Sequence, residues 1–196
     1  MSGSLATLLP GGALRRGTTT VVAGERGAGV TSLGISLLAE ASARGHWCAA
    51  VGLDDPGVLS MVELGLDLRR VVFVPNPRGG WADAAGELLD GVEIVLLRPP
   101  ARVPHAAARR LLARAKERRG IVIVLTDRAE RWPIVPELSL RLTASSWQGV
   151  GFGDGRLTAR RVEVLVESRH GDDRAVRSSV WLPSPAGVVA VAPPAS

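Results

Sequence analysis

The sequence predicts an α/β fold in which a largely parallel sheet is flanked by helices and continued by C-terminal antiparallel strands. Up to residue 136, short apolar runs alternate with segments of helical periodicity, an order typical of parallel sheets with right-handed crossovers. After residue 136, apolar and polar residues alternate between turn-forming sequences, which indicates antiparallel hairpins. A glycine-rich turn joins the first strand to the first helix.

The individual elements follow from hydrophobic periodicity and turn residues. In the first part of the chain, apolar runs predict strands at 18–23, 46–53, 71–74, 92–97 and 121–125. Helical spacing of apolar residues predicts helices at 30–44, 58–64, 81–89 and 104–119. In the last part, alternating patterns predict antiparallel strands at 138–152, 157–168 and 174–182.

The length predicts one domain. A chain of 196 residues is sufficient for a sheet covered by helices on both faces, and we place this domain at 18–182. Residues 1–17 are expected to form an N-terminal segment punctuated by glycine and proline. The tail, 183–196, is rich in proline, alanine and valine and is expected to be loose.

The composition is typical of a globular protein in a reducing compartment. The apolar share of 46% and the charged share of 22% are those of a folded chain and not of a disordered one. The sequence has no apolar run approaching the roughly 18 residues of a membrane span, and we recognise no secretion signal. The lone Cys48 cannot form an internal disulfide, and the dispersed histidines form no metal-binding pattern. We therefore expect a cytoplasmic protein without membrane contact or bound metal.

The glycine-rich turn is a phosphate-binding loop without its lysine. The signature of such loops is G-x-x-x-x-G-K-[ST], and Gly24, Gly29 and Thr31 fill its other defined positions. Val30 stands where the lysine would carry positive charge to the phosphates. The residues of this vestigial phosphate loop are Gly24, Gly27, Gly29, Val30, Thr31 and Ser32.

The plan of the chain from 10 to 182 resembles the RecA ATPase core, a P-loop unit with a parallel sheet extended by C-terminal β-hairpins. Cys48–Val51 is similar to the second core strand of RecA, and Asp54 falls at or beside the position of the RecA catalytic glutamate. Val92–Leu97 resembles the Walker B strand, which in RecA ends in an aspartate acting through magnesium. Arg98 occupies that position here.

The resemblance implies that hydrolysis of ATP is lost. Val30 removes the phosphate-binding lysine, and Arg98 would repel the magnesium ion. We predict no catalytic residue and no cofactor, although weak ATP binding is left open. For Arg98 three roles remain: contact with a phosphate, pairing with Asp54, or exposure to solvent.

Among RecA-like proteins, the chain resembles the ImuA and ImuA-prime group of bacterial mutagenesis cassettes, sometimes labelled SulA-like. The resemblance rests on the overall plan, the altered phosphate loop, and two sequence runs that begin at Trp147 and Arg161. It implies a non-catalytic adaptor in SOS-induced translesion DNA synthesis, with a polymerase-like ImuB-type protein and an error-prone C-family polymerase as partners. A nucleotide-binding switch or weak ATPase in DNA repair is the alternative, and a SulA-like inhibitor of cell division is a more remote one.

Two features are candidate contacts with DNA or a partner. The net charge of +5 is concentrated in the helix at 104–119, where Arg110, Arg114 and Arg118 recur at i+4 spacing and Arg109 flanks them. Without acidic partners these arginines repel one another, so a DNA-binding or partner-binding face is as plausible as a solvated one. Trp132 follows a core strand and could stack on a base, with packing inside its own loop as the simpler interpretation.

Overall fold

The computed structural model describes residues 5–54, 57–150, 155–169, 175–184 and 189–192. The strands are β1 (Thr19–Ala23), β2 (Cys48–Val51), β3 (Val71–Val74), β4 (Ile94–Leu97), β5 (Ile121–Thr126), β6 (Leu138–Val150), β7 (Gly155–Ser168), β8 (Val176–Trp181) and β9 (Ala190–Val191). The α-helices are α1 (Val30–Ala43), α2 (Val58–Glu63), α3 (Trp81–Leu88) and α4 (His105–Arg118). Short 3-10 helices lie at Leu5–Leu8, Pro10–Gly12, Leu68–Arg70 and Ala129–Arg131.

These strands form one mixed sheet in the order β3-β2-β4-β5-β1-β6-β7-β8-β9. The neighbours from β3 to β6 pair in parallel, and those from β6 to β9 pair antiparallel. The sheet therefore has a parallel half that carries the helices and an antiparallel half that extends it. This architecture confirms the predicted fold class.

The central parallel strands β1, β2, β4 and β5 are buried on both faces, as parallel sheets require. Successive residues of β4 alternate between two hydrophobic clusters because successive strand side chains point to opposite faces. Ile94 and Leu96 pack in the cluster that contains much of α1. Val95 and Leu97 pack in the cluster that contains the buried residues of α3 and α4.

The predicted strands and helices agree with the structure to within two residues at each end. The expectation of a loose tail at 183–196 requires a correction, because Ala190–Val191 pairs with β8 as a ninth strand. Ala190 and Ala192 are both buried, and they lie in an apolar run at 188–192. Parts of four predicted segments lie outside the described residues. They are residues 1–4 of the N-terminal segment, 151–152 of the strand predicted at 138–152, 174 of the strand predicted at 174–182, and 185–188 and 193–196 of the tail.

The helices and the ionisable side chains of the described residues bear on membranes and metals. In this part of the chain, none of the helices is both long and apolar enough to cross a membrane. Over the same residues, the histidine, cysteine and carboxylate side chains form no group of three or more that could hold a metal ion.

Candidate phosphate-loop site

The loop between β1 and α1 keeps the turn of a phosphate-binding loop. The Ala28 N–H donates to the Glu25 carbonyl oxygen at 2.9 Å, which closes the turn. Gly27 and Gly29 have φ angles of 83° and 102°, a region that side chains other than hydrogen disfavour. Val30 follows as the first residue of α1. The loop conformation is thus preserved at the positions that the sequence identified.

Packing against the antiparallel strands also requires these glycines. A Cβ atom added at Gly29 would lie 3.2 Å from Leu182 Cδ1 and 3.5 Å from Arg160 Nη1. One added at Gly24 would lie 3.0 Å from Leu142 Cβ. Contacts this tight leave little space for a side chain. The glycines therefore have a structural reason to remain whether or not the loop holds a phosphate.

Val30 does not replace the missing lysine. Its side chain is 7% exposed and belongs to the hydrophobic cluster on the α1 side of the sheet. No side chain caps the N-terminus of α1, and the first amides of a helix have no partner within the helix itself. The loop therefore retains backbone N–H groups, which favour an anion, but has lost the lysine charge.

Arg98 occupies the region where a nucleotide-hydrolysing relative would hold magnesium. Its Nη2 donates to the Thr31 hydroxyl at 2.6 Å. In P-loop enzymes, the corresponding hydroxyl and a Walker B aspartate both hold the metal. Here a single hydrogen bond joins those two positions, and the guanidinium brings a positive charge to the place of the cation.

Burial and the Asp54 carboxylate act in opposite directions on the pKa of Arg98. Partial burial lowers the pKa of Arg98, and the nearby Asp54 carboxylate opposes that shift. An arginine stays protonated in proteins, so the group remains a cation. Of the three roles left open for Arg98, the structure shows exposure to solvent in the neighbourhood of Asp54, together with a bond to Thr31 that the sequence did not indicate.

All the vestigial nucleotide-site residues line one cleft of about 740 Å³. It lies between the phosphate loop and the segments that follow β2, β4 and β5. The sequence-predicted residues in its wall are Gly24, Gly27, Gly29, Val30, Thr31, Ser32, Asp54 and Arg98. The fold thus brings these positions together as the RecA resemblance implied.

Arg160 of β7 also lines this cleft, although the sequence analysis did not single it out for the site. The residue is only 9% exposed, and its Nη2 donates to the Ser145 hydroxyl at 2.9 Å. Its guanidinium lies 5.3 Å from the centre of the Trp147 ring, within the range of a cation–π interaction. Burial lowers the pKa of Arg160.

A signal for Arg160 was present in the strand pattern. Val162, Val164 and Val166 are buried at alternate positions of β7, and Arg160 falls on the same face by the two-residue period of a strand. A charged residue that continues an apolar face is a candidate functional residue. Trp147 of β6 is 49% exposed, and its ring lies beside the Arg160 guanidinium.

The structure corrects the interpretation of the arginines on α4. Arg114 Nη2 lies 2.5 Å from Asp90 Oδ2, and Arg118 Nε lies 3.2 Å from Asp90 Oδ1. Arg110 lies 3.9 Å from Asp83 of α3. Asp83 lies in α3 and Asp90 follows it, while Glu117 of α4 itself lies 3.1 Å from Arg114 Nη1. The arginines of this face therefore have acidic partners, most of them supplied by the neighbouring helix and the residues that follow it.

Arg109 stays exposed and makes no ion pair with any residue that the structure describes. It therefore remains a candidate contact with DNA or a partner.

Trp132 is not available as a stacking platform. Its side chain is 5% exposed and lies in the cluster of α3 and α4. The ring centroid is 6.4 Å from that of Trp81, in an edge-to-face arrangement. The expectation that Trp132 could stack on a base is wrong because the loop folds the ring against α3. The simpler interpretation placed the ring inside its own loop, whereas the structure packs it against Trp81 of α3.

The strand order and the cleft define the chain as a RecA/KaiC-like α/β protein. A solved structure with this fold is the KaiC-like protein PH0186 from the hyperthermophilic archaeon Pyrococcus horikoshii OT3. It superimposes with a TM-score of 0.68 over 98% of this chain and 96% of that chain, at 15% sequence identity. At that identity the similarity establishes the fold alone.

The chain belongs to the family described as the MT3502 N-terminal domain, whose match covers residues 7–133. It is also 37% identical over 156 residues to the uncharacterized protein Rv3395c of Mycobacterium tuberculosis strain H37Rv. That match covers 78% of this chain and 64% of the relative. The matched region thus spans less than two thirds of the mycobacterial protein's length.

Proposed function

We propose that this protein is a non-catalytic RecA-like adaptor in damage-induced translesion DNA synthesis. It acts in the cytoplasm with a polymerase-like protein of the ImuB type and an error-prone C-family polymerase. The partner assignment extends the resemblance to the ImuA group, and the RecA/KaiC-like fold supports it at the level of architecture. The hydrogen bond between Arg98 and Thr31 carries the non-catalytic part of the proposal.

The charge at the metal position opposes catalysis. Phosphoryl transfer relies on positioning and on cations that neutralise the developing charge. The hydroxyl that would hold magnesium already accepts a bond from Arg98, and a magnesium ion beside that guanidinium would be repelled. Val30 supplies no second charge because it packs in the core. The protein keeps the fold and the cleft but lacks the phosphate-binding lysine and the Walker B aspartate.

An adaptor also needs a surface for its partner, and the β3 edge of the sheet offers one. Val72 and Phe73 of β3 are exposed, and β3 is the terminal strand of the sheet. In α2, which precedes β3, Val58, Leu59 and Val62 are exposed as well. Exposed apolar side chains beside an unpaired strand edge are typical of protein–protein contact sites.

Mutagenesis in cells tests the adaptor function. A strain lacking the gene is expected to lose damage-induced mutagenesis and to become sensitive to DNA-damaging agents. Thr31→Ala should leave both phenotypes near wild type because the proposal assigns no reaction to the cleft. Normal induced mutagenesis in the deletion strain would refute the adaptor function. A stably folded Thr31→Ala protein without function would favour a nucleotide switch.

Co-expression tests the partner surface. Leu59→Glu should abolish co-purification with an ImuB-type protein, since it places a charge in the middle of the exposed surface of α2. Val135→Glu is the matched control, because Val135 is similarly exposed but lies in the segment before β6. Equal recovery of the partner with both variants would remove α2 from the proposed interface.

A further inference from the structure

We propose that the cleft at the phosphate loop binds the phosphate groups of a small di- or triphosphate without magnesium, with Arg160 as the principal cation. This inference goes beyond the adaptor function, which assigns nothing to the cleft. It rests on three observations: the burial of Arg160 without a counterion, its position beside the loop, and the uncapped start of α1.

Arg160 is a buried cation that lacks an anion. It is 9% exposed, and its Nε is buried without a hydrogen-bond partner. Its one side-chain hydrogen bond goes to the neutral hydroxyl of Ser145, and none of the carboxylates that the structure describes forms an ion pair with it. A guanidinium removed from water without an opposite charge is costly, so an anion that reached it would be bound favourably.

The position of Arg160 places this charge at the loop. The Cβ site of Gly29 lies 3.5 Å from Arg160 Nη1, so the guanidinium is adjacent to the loop backbone. Gly29 immediately precedes α1, whose first amides have no side-chain cap. Free N–H groups and the positive end of the helix dipole attract the same ligand as the guanidinium. All of these groups face one cleft.

The acidic residues in the cleft wall do not neutralise Arg160. Asp127 pairs with Arg131 at 3.0 Å, and Asp54 acts on Arg98. The other acidic group in the wall is Glu25, an exposed loop side chain next to the exposed Arg26. Asp127 and Asp54 therefore act on other arginines, and none of the three carboxylates in the described lining forms an ion pair with Arg160, which leaves its charge for a ligand.

The shape of the site favours a small phosphate compound over a nucleic acid strand. The cleft volume of about 740 Å³ falls within the usual range of small-molecule sites. The N–H groups of one loop suit the closely spaced oxygens of adjoining phosphates better than the widely spaced charges of a nucleic acid backbone. Because the Thr31 hydroxyl already accepts a hydrogen bond from Arg98, the ligand is expected to bind without a chelated magnesium ion. Magnesium would then weaken binding, because it would neutralise part of the negative charge that the phosphates present to Arg160.

Calorimetric titration of the full chain with pyrophosphate and with ATP tests the proposal, each in EDTA and in excess magnesium. We expect both compounds to bind in EDTA and magnesium to weaken them. Arg160→Gln should lower the affinity about 10- to 100-fold, the range for a lost charge-assisted hydrogen bond. Arg161→Gln is the matched control, because the next residue of β7 points to the other face of the sheet and does not line the cleft.

Several results would overturn the inference. They are the absence of pyrophosphate binding at millimolar concentration, binding that requires magnesium, and equal affinity in Arg160→Gln and wild type. Displacement of pyrophosphate by a single-stranded oligonucleotide without terminal phosphates would assign the site to nucleic acid instead. If Arg160→Gln fails to fold, two other results test the proposal. Magnesium should weaken binding to the wild type, and Arg160→Lys should retain affinity. None of these results alters the mutagenesis phenotypes on which the adaptor function depends.

Discussion

Arg98 at the end of β4 donates a hydrogen bond of 2.6 Å to the hydroxyl of Thr31 in the first turn of α1. The bond ties together the two positions that hold the metal in P-loop enzymes. It also connects the central strand β4 to the helix that packs across it. A pair that would serve catalysis in such an enzyme serves here as a link between structural elements.

Removing this hydrogen bond should lower stability modestly. Thr31→Val keeps the shape of the side chain but removes the acceptor, and it should reduce the free energy of unfolding by about 1 kcal/mol, the net value of one hydrogen bond. Thr31→Ser keeps the hydroxyl and is the matched control. Urea unfolding followed by circular dichroism measures both. Identical midpoints for the two variants would show that the bond contributes nothing in solution.

A side chain at Gly52 should destabilise the protein, because Gly52 packs directly against the backbone of Arg98. Its φ angle is 76°, and an added Cβ would lie within 2.2 Å of the Arg98 carbonyl oxygen. Gly65 has a similar φ of 89° but open space around it. Gly65→Ala should therefore cost about 1–2 kcal/mol from the left-handed backbone alone. Gly52→Ala should cost about 1–3 kcal/mol more, because backbone atoms must move. Equal losses in thermal or urea unfolding would contradict this packing.

Arg114 should control the ionisation of Asp90. A hydrogen bond from Arg114 lowers the pKa of the Asp90 carboxyl, with a smaller contribution from Arg118. Arg114→Gln should therefore raise the pKa of Asp90 toward its ordinary value, and added salt should reduce the difference between the variants. Arg109→Gln is the control, since Arg109 is not among the groups that act on Asp90. A carboxyl-detected NMR titration measures the pKa directly. An unchanged value in Arg114→Gln would disprove the α3–α4 pairing in solution.

Cys48 should make the protein less stable at high pH. Burial raises the pKa of the thiol from 9.0 to about 12, and Glu93 adds to the shift. The unfolded chain therefore loses this proton from about pH 9 upward, whereas the folded chain retains it until about pH 12. The stabilising contribution is complete below pH 9 and declines across that interval. Comparing urea unfolding of wild type and Cys48→Ala from pH 8 to 10.5 isolates it from other groups. Parallel stability curves would contradict the raised pKa.

The strands and helices were predictable because each parallel strand is a short apolar run and each helix repeats its apolar residues at helical spacing. The pairing of α4 with α3 was not, since Asp83 and Asp90 lie more than twenty positions before their arginines and only the tertiary fold brings them together. For β9, the apolar run at 188–192 is a strand signal, but the proline- and alanine-rich composition around it favoured a loose tail.

The candidate site was predictable only in part. The phosphate loop and Arg98 each lie at a strand end that the sequence marks, so the RecA resemblance located them. Arg160 reaches the loop from β7, which only β6 separates from β1, and its approach depends on strand pairing that sequence spacing does not encode. Its position on the valine face of β7 was the one local clue.

The most direct test of the account is steady-state phosphate release from ATP by the wild-type protein, measured with magnesium and with or without single-stranded DNA. The account predicts no release above that of the Thr31→Ala variant, because Arg98 occupies the metal position and Val30 is in the core. Protein-dependent release that falls on changing Thr31 to alanine would show that the site is catalytic, and the non-catalytic adaptor function would then be wrong.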